Sequence, residues 1–328
     1  MSSTRSIRRT ALLTGVTVIT GALVLSACGG DGDGDGGDEA KPASNTTRQI
    51  TDALGRKVTV PSAPGKVVTL SEPTLDAALA LGVEPVGTTA GRGQKSVSTY
   101  LADKAKNAQV VASIAEPDLE KLAALQPDLI LLDETTGSKR SVDKLQSIAP
   151  TVVTAKLNED WKKAFTDTAD ALNKAADAKK WLADFDSEVA ATKGQLGDNA
   201  GKSVSVIRWQ DGAPSVVGKG DGVVGSTLKA LGATRPKDQQ GASVGHSEPV
   251  SLEKLDTIDA DWMFFGTLGD KADGDKAYAE ARKVANFGKL KAEQAKHVVT
   301  VEGSAWNSSG GPLSAEIVLG DIKAALAG

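Results

Sequence analysis

The chain has 328 residues, of which 40% are hydrophobic, so it is long enough and apolar enough to bury the cores of two compact lobes. Its formal net charge is −4, with lysine and aspartate interspersed, which excludes the basic surface that nucleic-acid binding requires. With 2 histidines and 1 cysteine, a transition-metal site built from protein ligands alone is not expected.

The N-terminal segment has the pattern of an export signal. Three arginines precede an apolar stretch over residues 11–24, which is too short to span a bilayer, and small residues follow. We therefore predict that residues 1–27 are a signal peptide. Its removal takes away three arginines and no acids, and so moves the net charge from −4 to −7. The pattern leaves open whether export uses the general or the twin-arginine route.

The run Leu25-Ser26-Ala27-Cys28 contains the only cysteine of the chain. It resembles the lipobox of bacterial lipoproteins, in which this cysteine is lipidated, and a plain signal peptide that ends near a cysteine is the alternative. Residues 28–47 are rich in glycine and aspartate and nearly free of apolar side chains, so we interpret them as a flexible tether. The resemblance implies a protein held by a lipid anchor at the outer face of the cell membrane.

The part from residue 48 to 156 alternates strands with short helices, which predicts an α/β lobe with a mostly parallel sheet. Residues 50–61 alternate apolar and polar side chains around Gly55 and predict a β-hairpin. The predicted elements that follow are strands over 66–70 and 85–89, a helix over 74–82, and helix–strand units over 118–133 and 141–155.

Residues 158–196 have apolar side chains at intervals of three and four and no proline, which predicts one long amphipathic helix. Residues 198–328 then resume the α/β pattern, with a strand pair over 203–218 and a closing helix over 312–326. The fold class is therefore α/β, with two Rossmann-like lobes joined by a single long backbone helix over 157–197 and a ligand cleft between the lobes.

The order of these segments resembles the substrate-binding lipoproteins of iron-siderophore, haem and cobalamin ABC importers. ITDALGRKVTVP is similar to the opening hairpin of that family, and WNSSGGPLSAEIVLGDI to its closing segment. DLEKLAALQPDLIL and SLEKLDTIDADWMFF are similar to its paired helix–strand units, one in each lobe. The resemblance implies a monomeric receptor without enzymatic activity or cofactor, which delivers its ligand to a permease dimer and the ATPase of the importer.

The ligand that this resemblance implies is a ferric siderophore, in which the siderophore itself holds the iron. We expect the hydroxamate type, whose bulky and rather apolar shell calls for aromatic walls and a few fixed donors. The family places an arginine and a tryptophan where Arg208 and Trp209 lie; the alternative is a core tryptophan and a surface arginine. Trp306, Arg92 and Tyr100 lie in or beside loops that follow strands and are further candidates for the cleft.

His246 lies in a glycine-rich loop, and in some relatives of this kind a histidine from this region ligates iron. We interpret it as a peripheral member of the site, and a haem or cobalamin receptor is the alternative function. An exported enzyme is a more distant alternative, because no nucleophile and base lie at catalytic spacing. Gly220–Gly225 matches a dinucleotide-binding pattern but follows the second strand of a hairpin, which disfavours nucleotide binding.

Glu120 and Glu253 lie at matching places in the two echoed segments DLEKL and SLEKL. In the family that the chain resembles, glutamates at such places meet arginines of the permease. Pairs of this kind orient a docking partner and accelerate its association. The resemblance therefore implies that Glu120 and Glu253 are docking residues, whereas spacing alone is equally consistent with solvated helix glutamates.

Overall fold

A computed structural model describes residues 46–113, 116–134, 140–220, 222–242 and 247–327. Residues 1–45, which include the predicted signal peptide, Cys28 and most of the predicted tether, lie outside the described residues, and so does His246. The chain opens with an antiparallel hairpin of β1 (Thr47–Thr51) and β2 (Lys57–Pro61), as the alternation over 50–61 predicts. Gly55 forms the turn with φ 78°, a backbone conformation that glycine adopts without strain.

The N-terminal lobe surrounds a five-stranded parallel sheet whose strand order is β5-β4-β3-β6-β7. Every residue of β6 is buried, because helices cover both faces of the sheet. The strand order reverses between β3 and β6, which opens a crevice at the carboxyl ends of these strands. The elements are β3 (Val67–Thr69), α1 (Glu72–Ala80), β4 (Gly87–Thr89), β5 (Gln109–Ala112), α2 (Leu119–Ala124), β6 (Leu129–Leu132), α3 (Val142–Gln146) and β7 (Thr151–Val153).

The connection between the lobes differs from the single helix predicted over 157–197. It consists of two helices, α4 (Trp161–Ala171) and α5 (Ala175–Gln195), separated by Asn173 in the left-handed conformation with φ 58°. Asparagine tolerates this conformation, and its side chain donates to the backbone oxygen of Ser62. The prediction was wrong here because both helices bury aromatic side chains against each other, so the apolar spacing continues across the break.

The long member of this pair, α5, has 21 residues and is therefore about 30 Å long. Trp181, in the first half of this helix, packs against the hydrophobic cores of both lobes. α5 thus remains a stiff element between the lobes, although it is about half the length of the segment predicted to be helical.

The C-terminal lobe surrounds a second five-stranded sheet, with strand order β10-β9-β8-β11-β12. β8, β11 and β12 are parallel, whereas β9 and β10 run antiparallel to their neighbours. The elements are β8 (Val204–Gln210), β9 (Ala213–Val216), α6 (Val223–Leu231), β10 (Glu248–Pro249), β11 (Trp262–Gly266), α7 (Lys271–Ala281), α8 (Lys291–Gln294), β12 (Val298–Thr300), α9 (Gly303–Trp306) and α10 (Pro312–Leu326). The closing helix has the bounds that the sequence predicts.

Gly225 explains the glycine pattern before α6. A Cβ atom at this position would lie 2.3 Å from the backbone oxygen of Gly220 and 2.9 Å from that of Gly218. The glycine therefore allows the preceding turn to pack directly on the helix, which gives this glycine a structural role. In the described part of the chain, no helix combines the length and the apolar character that crossing a membrane demands.

Candidate functional site

The candidate site lies where the carboxyl ends of the two central sheets face each other. Arg92 is in the loop that follows β4 of the N-terminal lobe, and Arg208 is near the end of β8 of the C-terminal lobe. Both are half-buried. Burial, together with the positive charge of Arg92, lowers the pKa of Arg208, so the two guanidinium groups lie within electrostatic range of each other. The structure therefore brings together two of the predicted site residues, one from each lobe.

Few groups of the described protein compensate the charge of these two arginines, and the carboxyl group of Glu72, which interacts electrostatically with Arg92, is itself buried. Arg208 donates to the hydroxyl of Ser247, but its buried Nε has no acceptor among the described residues. Neither Arg92 nor Arg208 forms an ion pair with a carboxylate in the described ranges. Like charges that are partly desolvated are unfavourable unless an anion neutralises them. The arrangement is suited to a ligand that presents anionic oxygens.

Lys219, in the turn after β9, adds little net positive charge to this region. Its ammonium group lies 2.7 Å from the carboxylate of Glu248, which neutralises it. The turn that contains Lys219 is fixed by Arg235, whose guanidinium donates to the backbone oxygens of Val217 and Gly218. The unpaired positive charge of the site therefore comes from Arg92 and Arg208.

Trp209 is not an aromatic wall of the cleft. Its side chain points to the opposite side of β8 from Arg208, because neighbouring residues of a strand alternate between faces. It is 6% exposed and stacks on Phe265 with ring centroids 5.7 Å apart, inside the core of the C-terminal lobe. The alternative interpretation as a core tryptophan is the correct one.

Trp306 is also a core residue, contrary to the prediction for its loop. The segment forms the short helix α9, which turns the indole inward until it is 1% exposed. The ring stacks on Phe264 with a centroid distance of 4.5 Å, and its Nε1 donates to Asp321 at 2.8 Å. A carboxylate partner for the N–H group removes the polar cost of burying it.

Tyr100 does not present its hydroxyl to the cleft either. The hydroxyl donates to Asp76 at 2.9 Å, and the backbone N–H of Tyr100 donates to Ser304 of the C-terminal lobe. Burial and the nearby carboxylates of Asp76 and Glu72 raise the pKa of Tyr100 well above its ordinary value. Tyr100 thus belongs to the contact between the lobes.

Glu72 is a residue of this region that sequence reasoning missed. It begins α1, directly after β3, and its carboxylate accepts hydrogen bonds from the hydroxyls of Ser98 and Ser308. Burial raises the pKa of Glu72 to about 7, although both hydroxyls and the charge of Arg92 act in the opposite direction. The available signal is an acidic residue next to a buried strand, at the crevice where α/β sheets bind ligands.

Glu120 and Glu253 occupy equivalent positions in the two lobes. Each lies in the first turn of the helical segment that leads into the strand beside the central strand, namely α2 before β6 and Leu252–Ile258 before β11. Both side chains are exposed, and neither forms an ion pair with another described residue. Their placement is symmetric, as the echoed sequences predict.

Comparisons with known proteins agree with this architecture. The family described as "Periplasmic binding protein" matches residues 67–305. The probable siderophore-binding lipoprotein YfiY of Bacillus subtilis is 32% identical over 92% of this chain and 93% of its own length. The iron(3+)-hydroxamate-binding protein FhuD of the same organism is 29% identical over 74% and 76%. The crystal structure of Staphylococcus aureus SirA complexed with staphyloferrin B superposes with a TM-score of 0.71 at 26% identity, covering 85% of this chain and 98% of SirA.

Proposed function

Because the chain belongs to the periplasmic binding protein family, we propose that it captures a ferric siderophore outside the cell and delivers it to an ABC importer. In this proposal the protein works by binding and release, without bond chemistry, and the siderophore supplies all ligands to the iron. The observation that carries the proposal is the pair Arg92 and Arg208, which come from the two lobes, act on each other electrostatically and form no ion pair with a carboxylate among the described residues.

The arginine pair also bears on the type of siderophore. The expectation of a hydroxamate rested on aromatic walls together with a few fixed donors, but Trp209 and Trp306 are buried in the core of the C-terminal lobe. Guanidinium groups match carboxylates in geometry and charge, and such hydrogen bonds are about twice as strong as neutral ones. We therefore propose a siderophore that offers carboxylate oxygens to the arginines, alone or together with hydroxamate groups.

A binding panel tests this proposal. Ferric complexes of a citrate-based siderophore, of desferrioxamine and of a tris-catecholate are titrated by calorimetry. Haem and cobalamin are included because they are the ligands of the alternative function. We expect the citrate-based complex to bind tightest, and Arg208→Gln to weaken it by about tenfold or more through loss of a charge-assisted contact. Arg282→Gln, at an exposed arginine of the C-terminal lobe, is the control.

Tightest binding of a neutral hydroxamate would overturn the carboxylate preference and restore the hydroxamate type. Binding of haem or cobalamin alone would overturn the siderophore assignment. If Arg208→Gln and Arg282→Gln bind the preferred ligand equally well, the arginine pair is not the ligand site.

The proposed function also requires attachment to the membrane and docking to the permease. We propose that Cys28 bears the lipid anchor, and that Glu120 and Glu253 contact the two subunits of a permease dimer that works with an ATPase. Their exposed and equivalent positions support this role. The double variant Glu120→Arg/Glu253→Arg is expected to lower iron uptake by cells while ligand affinity stays unchanged. Equal uptake by the variant and the wild type would contradict the docking role.

A further inference from the structure

Asp76 connects the two lobes and has no part in the proposed ligand site. It lies on α1 of the N-terminal lobe, and its side chain is completely buried. Its carboxylate accepts hydrogen bonds from the backbone N–H groups of Gly311 at 3.0 Å, Leu313 at 2.7 Å and Ser314 at 3.0 Å. These three groups lie at the start of α10, whose apolar face packs into the core of the C-terminal lobe.

α10 has no cap of its own at this end. Its N-cap residue is Gly311, which has no side chain to accept a hydrogen bond, and Pro312 has no N–H group to donate. Asp76 therefore satisfies each backbone donor from Gly311 to Ser314. The positive end of the helix dipole also favours a carboxylate at this place. The cap that normally comes from the same chain segment is here supplied across the lobe boundary.

Two glycines make this close approach possible. A Cβ atom on Gly311 would lie 3.0 Å from both Cγ and Oδ1 of Asp76, which is tighter than ordinary contacts. A Cβ atom on Gly310 would lie 2.2 Å from the hydroxyl oxygen of Ser314. In the sequence Gly310-Gly311-Pro312, the glycines allow close packing at the start of α10, and the fixed φ angle of the proline suits the first helical turn.

Further hydrogen bonds extend the contact along the loop that contains Arg92. We define the inter-lobe seam as the contact of α1 and residues 91–101 with residues 267–269 and 302–314. Besides those of Asp76, its cross-lobe bonds join Glu72 to Ser308, Thr99 to Ser304 and Glu302, Tyr100 to Ser304, and Gln94 to the backbone oxygen of Leu268. Residues on both sides of Arg92 in the chain are thus fastened to the other lobe.

We propose that the inter-lobe seam is a second fixed link between the lobes, besides α5, and that Asp76 is the positioning residue at its centre. In this role Asp76 does not touch the ligand. It sets the separation of the lobes, and through the 91–101 loop it sets the distance between Arg92 and Arg208. The inference concerns the unliganded protein and stands whether or not the ligand is a siderophore.

The test measures lobe separation directly. Spin labels are placed at Glu120→Cys and Glu253→Cys, one exposed site in each lobe, with Cys28→Ser to remove the native cysteine. Electron–electron double resonance is expected to give one narrow distance distribution for this protein. Asp76→Asn should broaden or shift it, because however the amide is turned, its NH₂ group faces backbone donors. Asp184→Asn, at an exposed aspartate of α5, is the matched control.

Amide hydrogen exchange supplies a readout at the seam itself. In Asp76→Asn we expect the amides of Leu313 and Ser314 to exchange roughly tenfold faster, while amides of the central strand β8 stay protected. Ser308→Ala is a milder second variant, because it removes one hydroxyl of the seam and leaves both cores intact. It should also broaden the distance distribution, and it tests the seam if Asp76→Asn does not fold. If Ser308→Ala and a folded Asp76→Asn both keep the narrow distribution, α5 alone sets the lobe separation and the proposal is wrong.

Discussion

The lobes are joined at two places that differ in physical character. On one side, α4 and α5 form an aromatic cluster of Trp161, Phe165, Trp181 and Phe185, with neighbouring ring centroids 5.2–6.2 Å apart. On the other side, the inter-lobe seam is centred on the buried carboxyl groups of Glu72 and Asp76 and on the groups that donate hydrogen bonds to them. Apolar packing is non-directional and independent of pH, whereas buried carboxylates need each partner in place and respond to protons. The aromatic link mainly contributes stability, whereas the hydrogen bonds of the seam fix the relative position of the lobes.

The largest effect is expected at the aromatic link. Trp161→Ala should lower the free energy of unfolding by about 3–5 kcal/mol, because it empties a buried site between α4, α5 and α6. The loss should be nearly the same at pH 5 and pH 8, since the surrounding rings do not titrate. Guanidinium-induced unfolding measures it, with Trp161→Phe as the control that keeps an aromatic ring in the cluster. A loss below about 1 kcal/mol for the alanine variant would contradict the assigned role of the cluster.

The seam should make stability depend on pH. Burial raises the pKa of Glu72 from 4.5 to about 7 and that of Asp76 from 3.8 to about 6. The folded protein therefore binds protons that the unfolded chain releases, so stability falls as pH rises from about 4.5 to 7 and then levels off. At 1.36 kcal/mol per pKa unit, the contribution of Glu72 over this range is about 3 kcal/mol.

Glu72→Gln is expected to make stability depend less on pH in this range, because the glutamine side chain does not bind a proton. Glu120→Gln, at an exposed glutamate, should leave the profile unchanged. Unfolding by urea at several pH values provides the measurement. A stability that rises between pH 5 and 7, or a Glu72→Gln profile as steep as that of the wild type, would contradict the assignment.

A smaller effect is expected from Gly311→Ala. The added methyl group presses on Asp76, and overpacking of this kind costs about 1–3 kcal/mol. Gly288→Ala is the matched control, because a Cβ atom there meets nothing within 4 Å. Thermal unfolding of the two variants compares them. Equal melting temperatures would mean that the seam yields without cost and does not fix the geometry.

The sequence predicted the elements whose pattern is local. The hairpin around Gly55, the buried strand at Leu129–Leu132 and the helix over 312–326 all follow from periodicity and turn residues. The break at Asn173 escaped this reasoning, because the apolar spacing of two antiparallel helices that pack on each other looks like that of one.

The site was only partly predictable. Arg92 and Arg208 were found because both lie near strand ends, whereas Trp209 and Trp306 were misplaced because a strand end or a loop does not reveal which way a side chain turns. Asp76 was missed because the three backbone groups that it caps lie 235 or more residues away. A weak signal existed, since Asp76 interrupts an otherwise apolar helix, TLDAALALG, and a buried acid needs partners.

The helix cap that Asp76 of the N-terminal lobe provides for α10 has a consequence for the folding of the protein. The first turn of α10 has its backbone donors satisfied only when α1 of the N-terminal lobe lies against it. A C-terminal fragment obtained by severing the chain between α5 and β8 would lack this cap, and we expect its final helix to fray at the first turn. Melting of the intact protein should accordingly occur as one cooperative event.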